Sequence, residues 1–128
     1  MTNWRWISPA VLYAVHDAQL AQHGGMDGLR DRNMVESALN RPQQQATYAD
    51  PPPDAADLAA AYAYGLVRNH GFSDGNKRTA WIAARLFLLD NGLTLVYRQA
   101  DAIDAVLALA AGTMSEAGFA HWLRVRLT

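Results

Sequence analysis

From Asn76 to Asp90 the chain carries Ala80, Trp81, Ile82, Ala83, Leu86, Phe87, Leu88 and Leu89, apolar side chains on nearly every side of a helix. A helix of that kind needs neighbours all round, so the segment predicts a helix at the centre of a bundle. Asn91-Gly92 terminates it. The remaining segments read as its neighbours. Ser8-Pro9 is a helix start, a capping hydroxyl before a proline at the first helical position, and Val11, Leu12, Val15 and Leu20 follow at helical spacing until Gly24-Gly25. Asp31 caps a second helix carrying Met34, Val35, Ala38 and Leu39, expected to end before Pro42. Gln43 to Pro53, with three consecutive glutamines and Pro51-Pro52-Pro53, predicts a loop holding at most one helical turn.

Asp54 caps a helix running to about Asn69, with Leu58, Ala61, Tyr62, Gly65 and Leu66 as its buried stripe. Gly65 would permit close approach of a neighbouring helix. Leu93 to Tyr97 is a short β-leaning run, expected as an extended connector, and Gln99 to Ala111 and Ser115 to Leu127 predict two further amphipathic helices. The prediction is an all-α fold: a compact single-domain helical bundle of about six helices with a short extended connector, spanning residues 1–128. A chain of 128 residues with 51% apolar content can bury such a core.

Composition removes several classes of function. The net charge of −1 gives no electrostatic case for direct nucleic-acid or anionic-lipid binding. With no cysteine there is no disulfide framework and no thiolate metal site. Met1 to Trp6 lacks the basic and apolar regions of a signal peptide, and no run approaches the roughly 18 apolar residues of a membrane helix. A small cytoplasmic protein is expected.

Chemistry concentrates in His70-Gly71-Phe72-Ser73-Asp74-Gly75-Asn76-Lys77-Arg78. Lys77 is the only lysine; every other cation is an arginine. Taken singly, these residues have ordinary readings. His70 could cap a helix end, Asp74 could be an N-cap, Phe72 could anchor the loop in the core, and Lys77-Arg78 could be a solvated face. Two cations at a helix start oppose the helix dipole, however, and that small cost favours an anionic ligand. Backbone N–H groups at a helix start, with adjacent Lys and Arg, form a ready phosphate site. His70, with an unperturbed pKa of about 6.5, can act as a base for a hydroxyl proton. Asp74 offers a hard oxygen for magnesium, Gly75 a tight turn around a ligand, and Asn76 an amide donor. Phosphoryl or nucleotidyl transfer needs this combination of positioning and charge neutralisation. Elsewhere, His16, His23 and His121 lack metal-ligand partners at useful spacing, and His16 and Asp17 are expected to be surface or satisfied polar groups. Trp4 and Trp6 are expected to pack on the bundle, Trp81 to be core, and Arg124 and Arg126 to suit the dipole of the last helix.

The nine-residue loop resembles the signature of the Fic/Doc family, His-x-Phe-x-(Asp/Glu)-(Gly/Ala)-Asn-(Gly/Lys)-Arg. Asn76-Lys77-Arg78-Thr79-Ala80 is similar to its Doc branch, the death-on-curing toxins of type II toxin–antitoxin systems. Ile7-Ser8-Pro9, His16-Asp17, Gly24-Gly25, Gly28-Leu29-Arg30-Asp31, Glu36-Ser37-Ala38-Leu39 and Leu88-Leu89-Asp90-Asn91-Gly92 resemble further family segments in the same order, so the likeness covers the whole chain.

The resemblance implies a Fic/Doc fold and transfer of phosphate from ATP to a threonine of elongation factor Tu, arresting translation. It implies catalytic roles for His70, Asp74, Lys77 and Arg78. His70 would be the base, and Asp74 would hold magnesium through the nucleotide. It further implies a nucleotide site of Phe72, Ser73, Gly75, Asn76, Lys77 and Arg78. AMP-transferring relatives have glycine where Lys77 stands and a second arginine where Trp81 stands; in the Doc branch the lysine is held to reverse the ATP and present its γ-phosphate. Gly75, in contrast, is the residue of the AMP-transferring relatives, and Gly71 replaces a common proline. An AMP transferase and a catalytically idle antitoxin-binding module are therefore the alternatives. Neither Glu36 nor Glu116 has Ser or Thr four residues before it, as the family's built-in inhibitory motif requires. A separate cognate antitoxin, whose disordered C-terminal segment folds into a groove, is the implied partner. Gly28 to Arg30 is read as the counterpart of the flap that docks the substrate chain.

Overall fold

The computed structural model describes residues 3–25, 28, 31–69 and 75–128. Among these described residues six helices follow in order: α1 (Pro9–His23), α2 (Arg32–Tyr48), α3 (Ala55–Asn69), α4 (Asn76–Asp90), α5 (Gln99–Ala111) and α6 (Glu116–Arg124). The all-α expectation holds, and most helix starts are where the capping residues put them. Ser8 Oγ accepts from the Val11 N–H at 3.2 Å. Asp31 accepts from the Asn33 and Met34 N–H groups. Asp54 and Asp57 cap α3 reciprocally, each carboxylate accepting from the other residue's N–H at 2.9 and 3.1 Å.

The centre of the bundle is α3 rather than α4. Ala55, Ala56, Leu58 to Ala63, Leu66 and Val67 are all buried, and α3 packs on α2, α4, α5 and α6. Its many alanines let neighbours approach from every direction. On the α4 surface, by contrast, Leu89 is 55% exposed, and Trp81, Ile82 and Arg85 are half-buried beside a cleft. The apolar content of α4 was a sound reason to place it in the interior, but its 78, 81/82, 85 row faces outward.

Two boundaries differ from the sequence expectation. α2 does not stop before Pro42 but runs through it to Tyr48, so only residues 49–54 are irregular. A proline inside a helix removes one backbone hydrogen bond and costs about 3 kcal/mol. Here the ring is itself buried, continuing the Val35, Ala38, Leu39 stripe of α2 into the core, and that burial offsets the loss. At the other end, α6 stops at Arg124 instead of Leu127. The last residues turn back to pair with the expected extended connector: Val96 N–H donates to the Arg126 carbonyl at 2.9 Å and Thr128 N–H to the Thr94 carbonyl at 3.0 Å, around a Leu95–Leu127 bridge.

The N-terminal arm packs as expected. Trp4 and Trp6 lie 5.9 and 5.7 Å from the Phe87 ring, centroid to centroid. Asn91 at the end of α4 accepts from the Arg5 N–H and donates to the Arg5 and Phe87 carbonyls. The buried Tyr62 hydroxyl accepts from the Ile7 N–H at 3.0 Å, and burial pushes its pKa up to about 12. Arg124 spans 70 positions of sequence to grip Asp54 at 2.7 Å and also reaches Asp57 at 2.8 Å.

Two measurements check these packing arguments. A Cβ at Gly65 would lie 3.1 Å from Ala38 Cβ and 3.2 Å from its Cα, so Gly65→Val is expected to lower stability by about 1–3 kcal/mol in urea unfolding. Arg124, aided by the Asp57 N–H, lowers the Asp54 carboxyl from 3.8 to about 2. A depressed carboxylate stabilises the fold above its unfolded pKa and loses that contribution as pH falls from about 4 to about 2. The pair is half exposed, so screening holds it below about 1 kcal/mol. Urea midpoints of wild type and Arg124→Met should therefore differ at pH 6 and converge towards pH 2.

Candidate active site

Gly75 sits at the N-cap of α4 with φ +77°, a left-handed conformation that glycine adopts without strain, and its carbonyl accepts the Thr79 N–H at 3.0 Å. The turn rests on α1. A Cβ at Gly75 would meet His16 Nε2 at 3.5 Å and Leu20 Cδ2 at 3.7 Å. His16, expected to be a surface or satisfied polar group, is only 2% exposed and lies directly beneath the turn, whereas Asp17 is exposed. From Gly75 the chain enters α4 with Asn76 half-buried and Lys77 and Arg78 exposed. Of the sequence-predicted site, Gly75, Asn76, Lys77 and Arg78 are thus brought to one place. His70, Phe72, Ser73 and Asp74 lie outside the described residues, as do Leu29 and Arg30 of the expected flap.

These four residues form one end of a cleft of about 820 Å³ between α1, α4 and α5. α1 contributes Gln19, Gln22 and His23; α4 adds Trp81, Ile82 and Arg85; α5 closes the other side with Gln99, Ile103 and Leu107 over Ala102 and Val106. No aspartate or glutamate is among the described residues that line it, although the chain holds more acids than Lys and Arg together. Lys77, Arg78 and Arg85 therefore face a concave site with no described carboxylate to offset them, where low-dielectric walls concentrate their field. Such a cleft accepts a polyanion with an apolar or planar portion. Among the described residues no three metal-ligating side chains cluster.

Trp81 was expected in the core and is instead half-buried in the cleft wall. Its ring meets Tyr97 at 90° and 5.3 Å and Trp122 at 70° and 6.0 Å. The Arg85 guanidinium lies 5.5 Å from its centroid and donates to the Tyr97 hydroxyl at 3.1 Å. Sequence reasoning missed Trp81, Arg85 and the α1 amides, yet a signal was there. Arg78, Trp81 and Arg85, like Gln19, Gln22 and His23, recur three and four residues apart and so share a helix face.

The family model of the Fic/DOC family matches residues 6–88, the span that holds α1 to α3, the whole motif loop and all but the last two residues of α4. The chain belongs to the Fic/DOC family. Among Fic/DOC relatives, the protein named protein kinase doc from Escherichia phage P1 is 36% identical over 120 residues, 94% of each chain. The protein named toxin Doc from Mycolicibacterium smegmatis is 46% identical over 72 residues, 56% of this chain and 55% of that one. The resemblance read from the motif is therefore correct at the level of the family, and the α5 wall of the cleft lies beyond the family segment.

The left-handed turn itself can be tested. Gly75→Ala places an ordinary residue in a conformation that costs about 1 kcal/mol, while its Cβ meets His16 at normal contact distance. Urea unfolding should show a loss of about that size; a loss of about 3 kcal/mol or more would mean a steric clash instead.

Proposed function

We propose that the chain is the toxin of a toxin–antitoxin system and transfers the γ-phosphate of ATP to a hydroxyl, on the Doc pattern a threonine of elongation factor Tu, so arresting translation in the cytoplasm. The observation that carries this reading is Lys77 with Arg78 on the first turn of α4, at one end of a cleft whose described lining holds no carboxylate. A triphosphate needs that charge, and the α4 start adds the positive end of a helix dipole. The 36% identical relative named as a protein kinase supports phosphate transfer over other Fic/DOC chemistries.

In this reading Lys77 and Arg78 clamp the triphosphate, the first as a point charge and the second as a planar fork. Gly75 and Asn76, with Phe72 and Ser73, border the nucleotide. The target hydroxyl attacks the γ-phosphorus and passes its proton to His70; the bond from that phosphorus to the β–γ bridging oxygen breaks, and ADP leaves. Magnesium, when bound, neutralises charge on the phosphoryl oxygens. Asp74 and the Asn76 amide are the oxygen donors of the motif that would hold it through the nucleotide, and the cationic described lining suits the phosphates. Control would come from a cognate antitoxin, since Glu116, one of only two glutamates, is engaged by Arg41 at 2.6 Å and by Gln45 at 3.1 Å on α2.

Gly75 favours one second reading, AMP transfer, because glycine is the residue that the AMP-transferring relatives carry at this place in the motif. The deciding measurement is label transfer to elongation factor Tu from γ- or α-labelled ATP with magnesium. Phosphate transfer predicts label from the γ position alone, abolished in His70→Ala and reduced at least tenfold in Lys77→Ala. Label from the α position would replace this reading with AMP transfer. No label from either, with a His70→Ala chain as toxic as wild type, would leave an antitoxin-binding module.

A further inference from the structure

The phosphate end of the cleft occupies only the first turn of α4, yet the cleft continues along the helix. Trp81 follows Lys77 by about 6 Å of helix axis and Arg85 by about 12 Å. Both line the same cleft, opposite Gln99, Ile103 and Leu107 of α5. Ile103 and Leu107 are 51% and 49% exposed, an apolar wall facing open space across from a Trp–Arg pair. We infer that this far half of the cleft binds the nucleobase of the nucleotide whose phosphates sit at Lys77 and Arg78, with Trp81 and Arg85 as the stacking layer and the Gln99 amide reading the base edge. The inference rests on the nucleotide reading above and deepens it.

Three observations favour a planar heteroaromatic ring there. The Trp81 indole is fixed by edge contacts to Tyr97 and Trp122, and Arg85 is fixed by its hydrogen bond to the Tyr97 hydroxyl. A stacking layer already held in place loses little freedom when a ring lands on it. Guanidinium and indole planes are both surfaces on which nucleobases stack, whatever the base. Gln99, exposed at the start of α5, carries a donor and an acceptor on one amide, the pair needed to meet a base edge. A purely phosphate ligand would leave the Trp81 indole and the Ile103–Leu107 wall unused.

Calorimetric titration of the whole chain with ATP and, separately, with inorganic tripolyphosphate tests this. ATP should bind wild type more tightly than tripolyphosphate. Trp81→Leu should weaken ATP by about tenfold or more and leave tripolyphosphate unchanged, as expected for one lost stacked base. Gln99→Ala, at an exposed position that leaves the fold intact, should weaken ATP alone by a few-fold, and it decides the matter should Trp81→Leu fail to fold. ATP binding that needs Lys77 but is unaltered by Gln99→Ala and by Trp81→Leu or Trp81→Phe would overturn the base subsite only. ATP binding indifferent to Lys77→Ala, or no binding of either ligand, would overturn the nucleotide reading and the subsite together.

Discussion

The contact on which the structure depends is the close approach of α2 to α3 at Ala38 and Gly65. With so little side chain between them the two backbones nearly touch, and α3 can be wrapped by helices on its other sides as well. Alanine supplies little hydrophobic area per residue, so the stability of such a core comes from density rather than from large side chains. Bulk comes from Leu58 and Tyr62 of α3 itself and from Phe87, Leu109, Phe119 and Leu123 on the helices around it. Pro42 is tolerated within α2 for the same reason: its ring is one of the groups that fill this interface.

With α3 at the middle, α4 is free to serve two purposes. Its Ala80, Ala83, Ala84 and Phe87 face meets the core, and its opposite row of Arg78, Trp81 and Arg85 lines the cleft. The start of α4 is located by α1, since His16 and Leu20 lie under the Gly75 turn. α5 supplies the facing wall. The consecutive α4 and α5, with α1 from far earlier in the sequence, therefore define one concavity whose described lining carries cations and no carboxylate, although the chain as a whole is slightly acidic.

Much of this was legible in the residues themselves. Ser8, Asp31, Asp54, Gly75 and Ser115 mark helix starts by local hydrogen bonding or turn geometry, which needs no tertiary knowledge, and each stands where a helix begins. The motif loop was legible because its chemistry is contiguous. What could not be read depended on distant partners. Pro42 reads as a terminator until its burial is known, and Leu127 reads as helical until Leu95 is seen to pair with it. Trp81 is apolar enough to pass for core; only the placement of Gln99 and Ile103 across from it makes it a wall. His16 gave no local sign of sitting beneath a turn nearly 60 residues later.

Asn91 and Thr94 lie three residues apart just beyond the C-terminal end of α4, and they hold opposite extremities of the described chain: Asn91 bonds to Arg5, and Thr94 to Thr128. Residues 5 and 128 are consequently moored at one pole of the molecule, and the Gly75 turn stands a helix length away, about 22 Å, at the other. A tether, fluorophore or fused domain attached near either mooring would leave the mouth of the cleft clear.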